Sequence, residues 1–261
     1  MELEIAILSK QGGRNYNEDA CGHWNSDRHL CCVMADGAGG HGGGDIASKL
    51  AVQSLLNGFA AQPADTPDAA YQLVLQANHA VRDHRTDGAA QQHMHTTVVM
   101  LAIDFVDRTA LWAHAGDSRL YWFRDGAIVT RTRDHSLVQA LADGGLIRPE
   151  EMRSHPKRSE LRSALGTADE SLEISTSEQV YAVEPGDVFL LCTDGLWEYV
   201  EDAVLEQTLT ASTNPQAWLD ALEATVLRNA ASKPSHDNFS ALAVWTGHGA
   251  DHQPTGERSG P

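Results

Sequence analysis

Apolar and polar positions alternate over residues 4–9 and again over 30–35, with β-branched side chains among them, so both stretches read as strands running into turns. The period then changes. Ile46, Leu50, Leu55 and Phe59 recur at near-helical spacing behind Asp45, which is placed to cap a helix, and Thr66 or Asp68 caps a second helix through 69–83. From Thr97 the pattern returns to short apolar runs at 97–103, 110–115, 119–123 and 127–130. Asp107-Arg108, Gly116-Asp117-Ser118 and Arg124-Asp125-Gly126 separate them, as turns separate consecutive antiparallel strands. Residues 136–143 read as a helix stopped by Gly144-Gly145. Strand patterns at 179–183 and 188–192, helical windows at 201–209 and 215–231, and a last strand at 240–245 complete the chain. This grouping predicts an α+β fold: a central sandwich of two antiparallel β-sheets flanked by pairs of helices.

No Pro/Gly/Ser-rich linker divides the 261 residues, so one domain is expected over 1–246, followed by a polar, aperiodic, disordered tail at 247–261. Within the domain, 147–165 is polar, mixed in charge and weakly periodic, and reads as a surface excursion. The formal net charge of −17 argues against a nucleic-acid partner, since neutralising phosphates takes clustered Lys and Arg. Cys21, Cys31, Cys32 and Cys192 show no C-x-x-C spacing and read as reduced thiols, the adjacent pair facing opposite sides of a strand. Without a leader-like start or an apolar run of roughly 18 residues, a cytoplasmic protein with no membrane partner is expected. The 13 histidines include His93-x-His95 but no H-x-x-x-H or H-E-x-x-H, which leaves a zinc site without support.

Four acids change the picture. Glu18, Asp36, Asp194 and Asp237 lie at strand ends or beside turns, and Gly or Asn follows three of them. Carboxylates gathered at one end of a sheet repel unless a cation lies between them, and hard oxygen ligands favour Mg²⁺ or Mn²⁺. The run Gly37-Ala38-Gly39-Gly40-His41-Gly42 matches G-x-G-x-x-G, yet no acid ends a second strand about 20 residues on, and no Lys-Ser or Lys-Thr follows for a P-loop. The glycines instead let the chain bend after Asp36, so that its carboxylate and the Gly37 carbonyl both reach an ion. Bridged by Asp36, two ions about 3.5–4 Å apart would hold and acidify a water nucleophile.

The ordered strings Arg14-x-x-Asn17-Glu18-Asp19-Ala20, Asp36-Gly37-Ala38-Gly39-Gly40-His41, Thr96-Thr97, Ala115-Gly116-Asp117-Ser118-Arg119, Asp134-His135-Ser136, Cys192-Thr193-Asp194-Gly195-Leu196-Trp197 and Asp237-Asn238-Phe239-Ser240 resemble the bacterial branch of the metal-dependent, type 2C serine/threonine protein phosphatases. The resemblance implies that Asp36 bridges two Mn²⁺ or Mg²⁺ ions, that Asp194 and Asp237 complete the shell of one, and that Glu18 and the Gly37 carbonyl complete that of the other. Asp117 would lean, with Asp194, toward a third ion. Arg14 would hold the phosphoryl oxygens in its bidentate fork, while Asp19 and Asn238 orient metal-bound water and ligands from behind. Ala38 stands where many eukaryotic members carry a His proposed as the leaving-group acid; His95 and Asp45 replace a usual Gly and Glu. The excursion at 147–165 corresponds to the family's flap, and its Arg153, Lys157 and Arg158 are candidates for steering an acidic phosphorylated segment.

The expected activity is hydrolysis of phosphoserine and phosphothreonine in proteins by direct attack of metal-bound hydroxide, in a monomer that reverses a cognate serine/threonine kinase. Two rivals stand beside it: a catalytically silent binding or scaffold module, and a metal-dependent nucleotide hydrolase. The intact acids oppose the first, and the second lacks any base-stacking or ribose-binding pattern.

Overall fold

The computed structural model describes residues 2–39, 43–84 and 94–247. In chain order the first elements are β1 (Leu3–Lys10), β2 (Asp19–Asn25), β3 (His29–Ala38), α1 (Gly44–Ala61), α2 (Pro67–Asp83), β4 (His95–Thr96), β5 (Val98–Asp104), β6 (Thr109–Ala115), β7 (Arg119–Arg124) and β8 (Ala127–Arg131). There follow α3 (Leu137–Asp143), β9 (Ser175–Thr176), β10 (Tyr181–Ala182), β11 (Val188–Cys192), α4 (Asp194–Trp197), α5 (Asp202–Ala211), α6 (Pro215–Ala230) and β12 (Phe239–Thr246). One sheet has the order β1-β12-β11-β7-β8; the other runs β10-β6-β5-β3-β2, with β4 added to β3 and β9 to β6. All the pairings are antiparallel.

Strand periodicity sorts the core into three layers. In β3, Cys31, Val33 and Ala35 pack beneath α1 and α2 with Phe59 and Val74. Their neighbours Leu30, Cys32 and Met34 face the second sheet and meet Phe189, Leu191, Leu242 and Val244. On that second sheet Ala241, Ala243 and Trp245 of β12 turn outward, toward Trp218 and Leu222 of α6. A central strand buried on both faces has no polar side to show, which is why residues 241–245 of β12 read as an unbroken apolar run. The two adjacent cysteines thus fall in different layers, and all four cysteines are free thiols.

The sandwich flanked by helices is the expected one; several local details are not. Asp45 does not cap α1: Gly43 occupies that position, and Asp45 sits in the first turn, paired with Lys49 at 2.9 Å. Thr66 does cap α2, accepting from the Ala69 amide. The pattern missed β2, an edge strand that exposes His23 and Asn25 and puts Gly22, with no side chain, on the face under α1, so its alternation is faint. The excursion at 147–165 holds a 3₁₀ turn at Pro149–Ser154, and single bridges Ser136↔Leu161 and Thr96↔Leu165 tie it down. No helix among the described residues is long and apolar enough to cross a membrane. Gly40, His41, Gly42, His93 and the tail from 248 onward lie outside the described residues.

Strand ends carry the acids to one place. Asp19 opposes Asp36 in the β2–β3 register, and beyond the Cys192↔Ala241 pair of β11 and β12 the Thr193 amide donates to the Ser240 carbonyl at 3.1 Å. Shortening Leu242, fully buried between the sheets, tests this packing. Leu242→Ala should lower the free energy of unfolding by about 2–5 kcal/mol in urea titrations.

Candidate active site

The site is assembled from backbone clamps before any carboxylate is considered. Asn238, at the mouth of β12, is buried and fully engaged: its Oδ1 accepts from the Glu18 amide at 2.9 Å, and its Nδ2 donates to the carbonyls of Gln11 at 2.6 Å and Tyr16 at 3.0 Å. One amide side chain therefore fixes the loop carrying Arg14 and Glu18 against the segment that leads from Asp237 into β12. The Glu18 carbonyl accepts from the Ser48 hydroxyl of α1 at 2.6 Å and from the Gly37 amide at 3.2 Å.

Asp36 is held through its main chain. Its N–H donates to Thr97 Oγ1 at 3.0 Å, and its carbonyl accepts from the Thr97 amide at 2.8 Å and from Thr96 Oγ1 at 2.9 Å. Thr97 Oγ1 also meets Ser118 Oγ at 2.6 Å, which links Asp36 to the turn bearing Asp117. On that turn the Asp117 carbonyl accepts from Trp197 Nε1 at 2.9 Å, and the Arg119 guanidinium stacks 3.6 Å from the Trp197 ring centroid while pairing with the buried Asp134. Trp197 shares the single turn of α4 with Asp194. Behind it Gly195 packs so closely on the Asn238 carbonyl that a Cβ there would collide with it.

The carboxylates crowd one another. Asp36 lies within hydrogen-bonding reach of both Asp19 and Asp194, so each contact needs a shared proton or a cation. Desolvation pushes the Asp36 and Asp194 carboxyls well up, and their acidic neighbours add to the shift: Asp19, Asp194, Asp117 and Asp237 around Asp36, and Asp117, Glu198 and Asp237 around Asp194. Desolvation likewise raises Asp19 to about 7, against hydrogen bonds from Ser240 and Thr193. Asp117 also rises to about 7, through burial first and then through Asp134. Glu18 is raised by desolvation and by Asp45.

Three buried oxygens, Glu18 Oε1, Asp19 Oδ1 and Asp194 Oδ1, find no hydrogen-bond donor among the described residues. A Cβ on Gly44 would collide with that Glu18 oxygen, so the glycine keeps a cradle open beside it. Orphaned acceptors, mutual repulsion and an all-oxygen donor set fit hard divalent cations. As they stand, no three Asp, Glu, His or Cys side chains among the described residues close round a point tightly enough to hold an ion. Asp237 in particular is paired with Arg14 Nη2 at 2.6 Å, so a cation must compete with that guanidinium.

An open cleft of ≈ 270 Å³ borders the acids, lined by Arg14, Arg158, Asp194, Glu198, Tyr199, Lys233 and Asp237 among others. Of the three flap cations, only Arg158 lines it, paired with Glu198 at 2.6 Å. Arg153 points elsewhere: it donates to the Val200 carbonyl and Asp202, each at 3.0 Å, and lies against Trp197, while Lys157 pairs with Glu160. A larger groove of ≈ 510 Å³ lies at the opposite end of the β3–β5–β6 sheet, around Arg28, Asp104 and Thr109, away from the acids. His135 is buried and accepts the Gly116 amide on Nδ1 at 3.3 Å, whereas His236 lines the cleft.

Sequence reasoning missed Thr193, Ser48 and Glu198. Thr193 Oγ1 donates to Asp19 Oδ2 at 3.0 Å, and its place directly before Asp194 was the available signal. Nothing local marks Ser48 in a helix, or Glu198 as the partner of a flap arginine.

A family profile described as protein phosphatase 2C matches residues 9–227. Protein phosphatase PhpP of Streptococcus pneumoniae is 32% identical over 249 residues, covering 93% of this chain and 97% of its own. Among solved structures, the serine/threonine phosphatase of S. agalactiae superposes with a TM-score of 0.81 at 26% identity, over 94% of this chain and 100% of that one. The catalytic domain of the phosphatase PstP in complex with two manganese ions superposes with a TM-score of 0.77 at 29% identity, over 94% and 98%.

The raised carboxyls make a prediction for the metal-free protein. A carboxyl whose pKa rises on folding contributes stability below its unfolded value, near 3.8, and that contribution is lost as pH climbs through the folded value, about 7 for Asp117. In EDTA, Tm should therefore fall between pH 5 and 7.5. The fall should be smaller in Asp117→Asn, as followed by thermal melts at both pH values.

Proposed function

This chain belongs to the protein phosphatase 2C family and is a protein-serine/threonine phosphatase, and we propose that Glu18, Asp36, Asp194 and Asp237 with the Gly37 carbonyl hold a pair of Mn²⁺ or Mg²⁺ ions at which phosphoserine and phosphothreonine esters are hydrolysed. The observation that carries the reading is the crowding of Asp19, Asp36 and Asp194, with oxygens left unpartnered inside the protein. Four acidic ligands carry four negative charges, which two divalent ions cancel. Such ions, when bound, supply an acidified water nucleophile and a positive field for phosphoryl oxygens. In this reading Asp117 would add, with Asp194, to a third and looser position.

The chain's own groups do the rest. Arg14 sits at the rim beside Asp237, exposed enough to turn its fork to two phosphoryl oxygens and so both orient the ester and offset its charge. Asp19, held by Thr193 Oγ1, presents its unpartnered oxygen as acceptor for a water proton. Asn238 keeps Glu18 and Asp237 in register. No imidazole follows Asp36-Gly37, where Ala38 stands, so the departing seryl or threonyl oxygen takes its proton from water. Arg158 is the flap residue positioned to meet substrate. The substrates proposed are phosphoproteins made by a cognate serine/threonine kinase, which the enzyme would reverse.

Asp36→Asn and Asp194→Asn should each cut Mn²⁺-dependent phosphate release from a phosphothreonine peptide by about 10³-fold with an unchanged circular-dichroism spectrum. EDTA should abolish wild-type hydrolysis of p-nitrophenyl phosphate, with recovery on adding Mn²⁺. A folded Asp36→Asn protein with wild-type turnover would refute the assignment.

A further inference from the structure

We propose that the cleft beside the acids carries a second anion subsite, built around Lys233, which recognises a further negatively charged side chain near the phosphorylated one. The inference rests on the phosphatase reading and names the class of substrate it favours: phosphorylated segments with another phosphoryl or carboxylate group close by.

The chain has four lysines in a sequence with 36 acids. Lys10, Lys49 and Lys157 are each paired with a carboxylate, Glu223, Asp45 and Glu160. Among the described residues Lys233 has no such pair; its Nζ stands 4.3 Å from the ring centroid of Tyr199. An ammonium over an aromatic face keeps its N–H donors available while the ring steadies it. The nearby Glu198 is already engaged by Arg158 at 2.6 Å.

The platform is built in. Tyr199 is buried, its carbonyl accepts from Asn229 Nδ2 at 2.8 Å, and the His236 ring meets it in a T-shaped contact with centroids 6.1 Å apart. The segment after Lys233 is tied to the Arg14 loop, since Ser235 Oγ donates to the Gly13 carbonyl and the Gly13 amide to the His236 carbonyl, both at 3.0 Å. Lys233 thus stands on the same framework as Arg14.

Its place in the cleft sets it apart from the reacting group. Asp194 and Asp237 line this space, but Asp36, Glu18 and Asp117 do not, so Lys233 and Arg158 flank the phosphoryl position instead of occupying it. At ≈ 270 Å³ the open cleft falls below the roughly 300–1,000 Å³ of small-molecule pockets and suits a side chain of an extended segment. With the metal-site acids neutralised by cations and Arg158 balanced by Glu198, Arg14 and Lys233 leave the cleft positive in a strongly acidic protein, a local potential that selects anionic partners.

The test compares kcat/KM on three phosphothreonine peptides, identical except for phosphoserine, Glu or Ala at positions two to four residues away. Wild type should prefer the phosphoserine peptide, the Glu peptide or both over the Ala peptide by about tenfold, and the two arms tell a phosphoryl from a carboxylate source. Lys233→Met should bring that ratio close to one, Lys233→Arg should restore it, and raising the ionic strength should erode it. Lys10→Met serves as the control and should leave the ratio alone. Equal kcat/KM for all three peptides, or a preference that survives Lys233→Met, overturns the subsite while leaving the phosphatase assignment standing. Failure of wild type to release phosphate from any peptide in Mn²⁺ overturns that assignment and the subsite with it.

Discussion

Carboxylates that repel one another, held together at one end of a sandwich, are the constraint from which the rest of this structure follows. Asp36 comes within proton-sharing reach of both Asp19 and Asp194 although each would be more stable apart at neutral pH. No single packing contact could enforce that. The restraint is distributed through main-chain bonds: Thr96 and Thr97 on Asp36, Ser48 and Asn238 on Glu18, Thr193 and Ser240 between β11 and β12. Each clamp uses a neutral hydroxyl or amide. A cationic clamp would satisfy the acids internally and remove the uncompensated charge that motivates the proposed metal pair.

The hydrophobic layers explain how so much repulsion is tolerated. Three continuous cores, one between the sheets and one under each helical layer, run the length of the strands whose ends bear the acids. Burial at about 25 cal/mol per Å² over such an area far exceeds the cost of a few desolvated carboxylates. Where a true buried ion pair occurs, Arg119 with Asp134, it lies beside the site and braces Trp197 and the Asp117 turn. It does not enter the acid cluster. The cation that does touch the cluster, Arg14, is at the exposed rim, where a substrate anion can draw it off.

Period and turn chemistry were enough to read the sandwich because its central strands are buried on both faces and its hairpins carry ordinary turn residues. They failed where the physics is not local. β2 is an edge strand with a mixed outer face, and Asp45, which looks like a cap, instead pairs with Lys49 because Gly43 already starts the helix. The acids stood out because a carboxylate followed by Gly or Asn at the end of an apolar run is chemically odd. Their supports did not: Ser48 inside α1 and Glu198 behind α4 look like any surface-facing polar residues until the chain has folded. The flap was legible as an excursion, but which of its cations faces the cleft was not, since Arg153 and Arg158 differ only in the partners that tertiary contacts give them.

The site therefore divides into two zones with different rules. At the inner end, positions are over-determined, and exchanging any of the acids alters a charge balance that the clamps, all neutral, do not restore. At the rim, Arg14 is paired with the half-exposed Asp237 and Lys233 stands over the Tyr199 ring, whereas Arg158 is held by Glu198, whose side chain is buried. The Arg14–Asp237 pair costs a substrate little to displace, because exposed ion pairs are worth only about 0–1 kcal/mol. The geometry of the acids is consequently fixed by the sheets, whereas the selectivity proposed for the cleft rests on rim side chains, Arg14 and Lys233, whose present contacts lie outside the buried cluster.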